Sequence, residues 1–247
     1  MTTETVSYRG VLLDIEGTTA PITFVYDVLF PYAASRLEDY CARSPVGCGI
    51  REAMTQLKAE YDRELTEGRP LPPFSDGAPY ARYLMEQDRK STGLKMLQGF
   101  IWEEGYRNGS LKGIVFPDVV PALQAWKEAG VRMRIFSSGS VLAQKLLFGH
   151  TDYGDLTPYF EGFHDTRTGS KREAGSYSTI AGAFALPAPQ ILFLSDVVEE
   201  LDAAREAGMR TGLMVRPGNK PVGKHEHNVY FDMEFSKPRG GVEKEHG

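Results

Sequence analysis

Two carboxylates spaced two residues apart carry the first chemical signal in this chain: Asp14 and Glu16 flank Ile15 and run into Gly17-Thr18-Thr19. On an extended backbone, residues i and i+2 point to the same side, so both carboxylates can serve one centre. Such a pair suits a divalent, oxygen-seeking cation, or a nucleophile with a general acid beside it. Equally, an Asp and a Glu can do no more than end a strand and open a loop. Ser137, Ser138 and Ser140 with Gly139 form a hydroxyl-rich, amide-rich run ahead of a helical pattern. That run is either a plain turn or a phosphate cradle at a helix N-terminus. Lys171, in Thr168-Gly169-Ser170-Lys171-Arg172, is one of 28 basic residues, or else the ammonium that neutralises a phosphoryl group at an acidic site. Asp196 follows Ser195 and precedes Glu199 and Glu200. An acid there commonly caps a helix, and for the two glutamates a capping or solvated role in the first helical turn is expected.

Three of these positions end short apolar runs. Val11-Leu12-Leu13 stops at Asp14, residues 131–136 stop at Ser137, and residues 191–194 stop at Ser195-Asp196. Such runs read as buried parallel strands. The second is interrupted by Arg132 and Arg134, so it is expected to expose one face or to lie at a sheet edge. Helical spacing fills 118–129, 140–148 and 197–207, ending at Gly130, Gly149 and Gly208. Strand–helix alternation predicts an α/β fold with a doubly wound parallel sheet. Ligands of such sheets gather beyond the carboxyl ends of the strands, so Asp14, Ser137 and Asp196 are expected to converge although they lie far apart along the chain.

The interval between the first two strands is too long for one crossover helix. Residues 22–111 show mostly helical spacing, divided by a Pro- and Gly-rich stretch at 68–79. The expected organisation is an α/β catalytic core of 1–21 and 112–247, with a helical cap domain, 22–111, inserted after the first strand. A cap over the strand ends could close on a substrate and exclude water. The polar run 236–247 is expected to fray.

Composition narrows the classes further. The 247 residues hold 28 basic and 33 acidic side chains, for a net charge of −5, with 41% hydrophobic and 25% charged residues. That balance excludes wholesale disorder and leaves no basic stripe for nonspecific nucleic-acid binding. Two cysteines make neither a disulfide scaffold nor a four-cysteine zinc site. No apolar run approaches the ~20 residues of a membrane helix, and the polar N-terminus lacks the pattern of a signal peptide. A cytoplasmic monomer acting on a small molecule, with no nucleic-acid or membrane partner, is expected.

Taken in order, Asp-x-Glu-Gly-Thr, a strand-end Ser, a Gly-x-Lys loop and Ser-Asp resemble the haloacid dehalogenase superfamily, and within it the acireductone-forming enolase-phosphatases of methionine salvage. The resemblance is carried by 12–19 with Pro21-Ile22, by Leu97-Gln98-Gly99-Phe100-Ile101-Trp102 and Gly105-Tyr106, and by 113–118. It continues through Ser137-Ser138-Gly139-Ser140-Val141, 143–149, Asp165-Thr166 and Gly169-Ser170-Lys171. It departs at His164, where an aromatic residue is usual, and loosens over 172–177.

The resemblance implies that Asp14 attacks phosphorus and forms an aspartyl-phosphate. It implies Mg²⁺ held by Asp14, Asp196 and the main-chain carbonyl of Glu16. The Glu16 side chain would be the acid for the leaving oxygen and then the base for water. Ser137 and Ser138 would bind the phosphoryl group, with Lys171 offsetting charge. The implied substrate is 2,3-diketo-5-methylthiopentyl-1-phosphate, enolised before it is dephosphorylated. Phe100, Ile101 and Trp102 could wall its apolar tail, or could simply be helical core. Other readings of the same residues are a general sugar-phosphate phosphatase or phosphomutase, a metal-independent dehalogenase, and a phospho-accepting receiver domain. In the last, the acid pair precedes the acceptor and a much shorter chain suffices.

Overall fold

The computed structural model describes residues 8–42 and 48–234. The segment 236–247, expected to fray, and the first seven residues lie outside them. The chain divides into two compact units, Met1–Thr23 with Gly113–Gly247, and Phe24–Lys112. The helical unit thus begins two residues later than the expected 22 and ends one residue later than the expected 111. No helix among the described residues is long and apolar enough to cross a membrane.

The first strand, β1 (Gly10–Leu13), is followed by a π-helical stretch, Phe24–Leu29, that continues into α1 (Phe30–Ala42), and then by α2 (Cys48–Thr66), α3 (Ala78–Glu86) and α4 (Thr92–Arg107). The chain returns as α5 (Val119–Glu128), β2 (Arg132–Phe136), α6 (Val141–Gly149), β3 (Gly162–His164), α7 (Ala174–Phe184), β4 (Ile191–Ser195), α8 (Val198–Glu206), β5 (Arg210–Met214) and β6 (Asn228–Tyr230).

All strand pairs are parallel, in the order β3-β2-β1-β4-β5-β6. Leu13 at the end of β1 lies opposite Ile135 of β2 and Leu194 of β4. The strand order therefore reverses at β1, and a doubly wound sheet opens its ligand crevice at that point. Val11, Leu12 and Leu13 are fully buried, as both faces of a parallel sheet require. Leu12 joins Phe136, Tyr177, Phe184, Phe193, Leu201 and Leu213 in one core beneath the crevice.

Of the two alternatives expected for β2, the partly exposed face holds and the edge position does not. β2 is an internal strand, with β3 outside it. Its arginines do not mark an edge; they reach the C-terminal carbonyls of α7. Arg132 donates to the Phe184 carbonyl and, at 2.7 Å, to Glu161, while Arg134 donates to the Ala183 carbonyl at 2.8 Å. Cations at a helix C-terminus satisfy its orphan carbonyls and oppose its dipole. The alternating burial of β2 does leave one face partly exposed.

In the helical unit, Gly93 lets α4 approach α2: a Cβ there would stand 2.5 Å from the backbone nitrogen of Leu57. Glu60 of α2 accepts from the amides of Thr92 (3.1 Å) and Gly93 (3.2 Å) and from the Ser91 hydroxyl, placing a carboxylate at the N-terminus of α4. Ile101 and Trp102 are core here, with the Trp102 indole donating to the Leu29 carbonyl at 2.8 Å. The alternative of a pocket wall does not describe these two.

Glu64 is buried and accepts a two-pronged bond from Arg89 (2.5 and 2.7 Å) and one from the Tyr80 hydroxyl (3.0 Å). The Arg89 hydrogen bonds hold its pKa below the ordinary carboxylate value against the opposing effect of burial. A depressed carboxylate stabilises the fold above its unfolded pKa and loses that contribution as pH falls through the folded value. Glu64→Gln is therefore expected to destabilise the protein at pH 7 by about 2–3 kcal/mol. That is below the ~3–5 kcal/mol of a fully buried pair, because Arg89 is partly exposed. In thermal melts the gap from wild type should close below about pH 4.

Candidate active site

Asp14 remains in the ladder through its amide, which donates to the Leu194 carbonyl at 3.0 Å, and its side chain is buried. Its Oδ1 accepts from the Ile15 amide at 2.8 Å. The chain then folds into a tight loop in which one carbonyl, that of Ile15, accepts from the amides of Thr18, Thr19 and Ala20 at 3.2, 2.9 and 2.8 Å. The Thr19 hydroxyl closes back on the Asp14 carbonyl at 3.0 Å. Gly17 sits at φ +68°, and a Cβ on it would lie 2.4 Å from Oδ2 of Asp196. Glycine is thus needed both for the left-handed turn and for the close approach of the β4 end.

Lys171 arrives from the loop before α7. That loop is tied down by the Tyr177 hydroxyl, which donates to the Lys171 carbonyl at 2.7 Å, and by the Ser176 hydroxyl, which donates to the Ser170 carbonyl at 2.7 Å. The ammonium is buried, 2.7 Å from Asp14 Oδ1 and 2.6 Å from Glu200 Oε2. Burial pulls its pKa down, but the charges of Asp14 and Glu200 outweigh that and leave it above the ordinary lysine value. The Ser195 hydroxyl lies between the two acids, 3.0 Å from Glu200 and 3.3 Å from Asp14.

Glu200 corrects the sequence reading. It is buried and grips Lys171, whereas Glu199 is exposed as a solvated first-turn acid should be. The only hint in the sequence was its position four residues beyond Asp196.

The acids outnumber the cation. Burial and then the charge of Asp14 push the Asp196 pKa up to about 7, and the same two causes, in that order, raise Glu16. Burial and Asp14 also raise Glu200, against the pull of Lys171. Asp14, Glu16, Asp196 and Glu200 therefore surround one ammonium, an arrangement that favours a further positive charge. Among the described residues no group of three or more His, Cys, Asp or Glu side chains forms a metal cage. Asp14 and Asp196 offer two hard carboxylates, Asp196 lying against the Asp14 loop at Gly17. A magnesium ion is commonly held through one or two carboxylates and keeps waters and phosphate oxygens in its remaining positions.

Ser137 is buried one residue past β2, in the strand-end level next to Asp14; its amide donates to the His164 carbonyl at 3.1 Å and its hydroxyl accepts from Gly139 at 3.1 Å. Ser138 is exposed, and Ser140 caps α6 by accepting from the Ala143 amide at 3.2 Å. Gln144, unnoticed in the sequence, donates to the Gly139 and His164 carbonyls, both at 2.8 Å, and so braces this serine loop. His164 lies on β3, where burial and then Arg134 lower its pKa and keep the ring neutral. The structure thus joins Asp14 directly to Lys171, sets Asp196 against the Asp14 loop, and puts the serines on the adjacent strand end.

A doubly wound parallel sheet with a lysine-paired aspartate ending β1 and acids beyond β4 is the framework of one hydrolase class, and the chain belongs to it: the haloacid dehalogenase-like hydrolases, whose family model matches residues 8–208. Within that family it is similar over most of its length to proteins named Enolase-phosphatase E1. It is 49% identical to Enolase-phosphatase E1 of Synechococcus elongatus over 88% of this chain and 92% of the relative. It is 48% identical to that of Pseudomonas aeruginosa over 85% and 91%, and 45% identical to that of Erwinia tasmaniensis over 91% and 95%. Among solved structures it is similar to the UTR4 protein of Saccharomyces cerevisiae, with a TM-score of 0.77 and 35% identity over 92% of this chain and 99% of that one. It shares its fold with the putative hydrolase YfnB of Bacillus subtilis, described as bound to magnesium, with a TM-score of 0.56 and 15% identity over 93% and 96%.

Proposed function

We propose that the chain is a bifunctional enolase-phosphatase of methionine salvage. It would convert 2,3-diketo-5-methylthiopentyl-1-phosphate to the acireductone 1,2-dihydroxy-3-keto-5-methylthiopentene and phosphate. The observation that carries the phosphatase half is the buried Asp14–Lys171 pair at the strand-order reversal, beside Asp196 and Glu200. The identity of 49% to an Enolase-phosphatase E1 supports the substrate. Within the same reading the protein works as a cytoplasmic monomer on this small phosphate ester.

Phosphate monoesters are so inert that enzymes acting on them reach accelerations of up to ~10²¹. Covalent catalysis divides that barrier. The diketo substrate first enolises, losing a proton from the carbon beside a carbonyl and gaining one on the carbonyl oxygen. A carboxylate oxygen of Asp14 then attacks phosphorus in line, and the bond from phosphorus to the ester oxygen on carbon 1 of the enol breaks. Glu16, whose pKa burial and the charge of Asp14 raise, gives its proton to the departing oxygen. Water next attacks the phosphoryl group while Glu16, now a carboxylate, takes the water's proton. The bond to Asp14 breaks, and both side chains are restored. Ser137 and Ser138 donate to the phosphoryl oxygens, and Lys171 offsets the charge that builds on them. Asp14, Asp196 and the Glu16 carbonyl would hold Mg²⁺, which when bound supplies positive charge against the transferring phosphoryl group.

The test is incubation of the diketo phosphate with protein and Mg²⁺, following enol absorbance and free phosphate. Enol absorbance should lead phosphate release, and a chelator should stop the release. Comparable rates on simple sugar phosphates, with no enol signal, would replace this reading with a general phosphatase. Gly17→Ala should also lower phosphate release by about tenfold or more, because a methyl there displaces Asp196. The left-handed backbone adds roughly 1–3 kcal/mol of destabilisation, readable in a thermal melt.

A further inference from the structure

The loop that carries Glu16 is fastened from outside as well as from within. Its own turn is complete: the Ile15 carbonyl takes three amides, and the Gly17 amide donates to the Ala20 carbonyl at 2.9 Å. Yet the three carbonyls after Glu16 are each taken by a donor from far along the chain. Asn219 Nδ2 donates to the Gly17 carbonyl at 2.9 Å, Arg216 Nε to the Thr18 carbonyl at 3.2 Å, and the Phe116 amide to the Thr19 carbonyl at 2.9 Å.

The donors are themselves anchored. Asn219 Nδ2 also reaches the Met214 carbonyl at the end of β5, at 3.2 Å. The Arg216 side chain is only 3% exposed; it forks onto Asp118 at 3.1 and 2.7 Å, reaches the Phe231 carbonyl at 3.0 Å and lies over the Phe116 ring. The amide oxygen of Asn219 is buried with no partner, and it lies 2.7 Å from where a Cβ on Gly17 would stand. Burying an acceptor that has no partner among the described residues works against stability. What the side chain supplies is its donor half, aimed at the Gly17–Thr18 peptide, one residue beyond Glu16.

We infer that Asn219, backed by Arg216, is a positioning residue for the proton-transfer step: by fixing the Gly17 and Thr18 carbonyls it holds the Glu16 carboxyl where the leaving oxygen departs. Neither residue touches the reacting atoms. The inference rests on the reading of Glu16 as general acid, and its test separates the two.

Phenyl phosphate and p-nitrophenyl phosphate are nearly the same shape, but nitrophenolate leaves with little help from a proton and phenolate does not. The quantity to compare is kcat/KM at saturating Mg²⁺, which covers the chemistry up to aspartyl-phosphate formation. Asn219→Ala should lower it about tenfold or more for phenyl phosphate and less than about threefold for the nitro compound. Asn219→Leu keeps the side chain's shape without the donor and should give the same selective loss, so it carries the test should the alanine variant not fold. An equal loss on both substrates, or no loss on either, overturns the inference and leaves Asn219 a structural residue. Glu16→Gln is run beside them. If it too is selective for phenyl phosphate, the acid reading stands and the Asn219 result alone decides the inference; if it is not, the acid reading falls and the inference with it.

Discussion

Asp14→Asn is expected to lower phosphate release by about 10⁴-fold or more, the scale on which removal of a catalytic nucleophile falls, while leaving the fold intact. The amide has the shape of the carboxylate, so its oxygen can still accept from the Ile15 amide and from Lys171. Lys171 keeps Glu200 as a counter-ion, so no buried ammonium is left alone. In the proposed mechanism, what is lost is the electron pair that bonds to phosphorus. The variant also removes a charge that helps raise both Asp196 and Glu200, so those acids should ionise more easily, and its melting temperature should not fall. Because enolisation moves a proton on carbon and does not use the Asp14 nucleophile, enol absorbance should rise and persist in this variant without free phosphate. Phosphate release at the wild-type rate would remove Asp14 from the reaction and with it the covalent mechanism.

The parts of the site legible in the sequence were those announced by local chemistry. A three-residue apolar run ending in Asp-Ile-Glu-Gly-Thr marks a strand tip whatever surrounds it, and Ser195-Asp196 after four apolar residues does the same. Lys171 was found only through the order of the motifs, since nothing near it in sequence tells a buried lysine from a solvated one. Glu200 was missed because first-turn acids already have a sufficient local reason, the helix dipole; its real partner lies in a loop 29 residues away. Arg216 and Asn219 sit in a Pro-Gly turn that reads as a surface connection, and only the fold puts that turn against Gly17 and Thr18.

The same limit governs the sheet. The arginines of β2 suggested an edge, because the carbonyls that accept from them belong to a helix some fifty residues downstream. Strands β3 and β6 are three residues long, too short for any period to show, and β5 contains Gly212, which packs so closely that a Cβ would meet Leu194 and Tyr230 at 2.7 Å. Side chains of neighbouring strands closing over a glycine are a property of the assembled sheet, and a single glycine does not announce it.

Lys171→Met removes the one ammonium of the acidic cluster and should act on stability and turnover together. In the native protein the ammonium stands within 2.7 Å of both Asp14 and Glu200. Without it, four acids face one another across a buried site, and breaking a buried pair by deleting one partner typically costs about 3–5 kcal/mol. The molecule can lessen that only by protonating carboxylates, and Asp14 as a carboxylic acid is no nucleophile, so phosphate release at neutral pH should fall by about 10³-fold or more. The sign of the pH dependence follows from the acids. Burial and the charge of Asp14 raise Asp196, Glu200 and Glu16 in the folded state even with Lys171 present, Asp196 and Glu200 to about 7. The folded state therefore binds more protons than the unfolded one through this range, and stability falls as pH rises through the folded value. With the ammonium gone those values climb further, so the melting deficit of Lys171→Met relative to wild type should be small near pH 5.5 and grow steadily toward pH 8, opposite in sense to Glu64→Gln, whose deficit vanishes in acid. A deficit of constant size across that range would mean that the Lys171 side chain only fills space, and that the charge balance around Asp14 is set by something else.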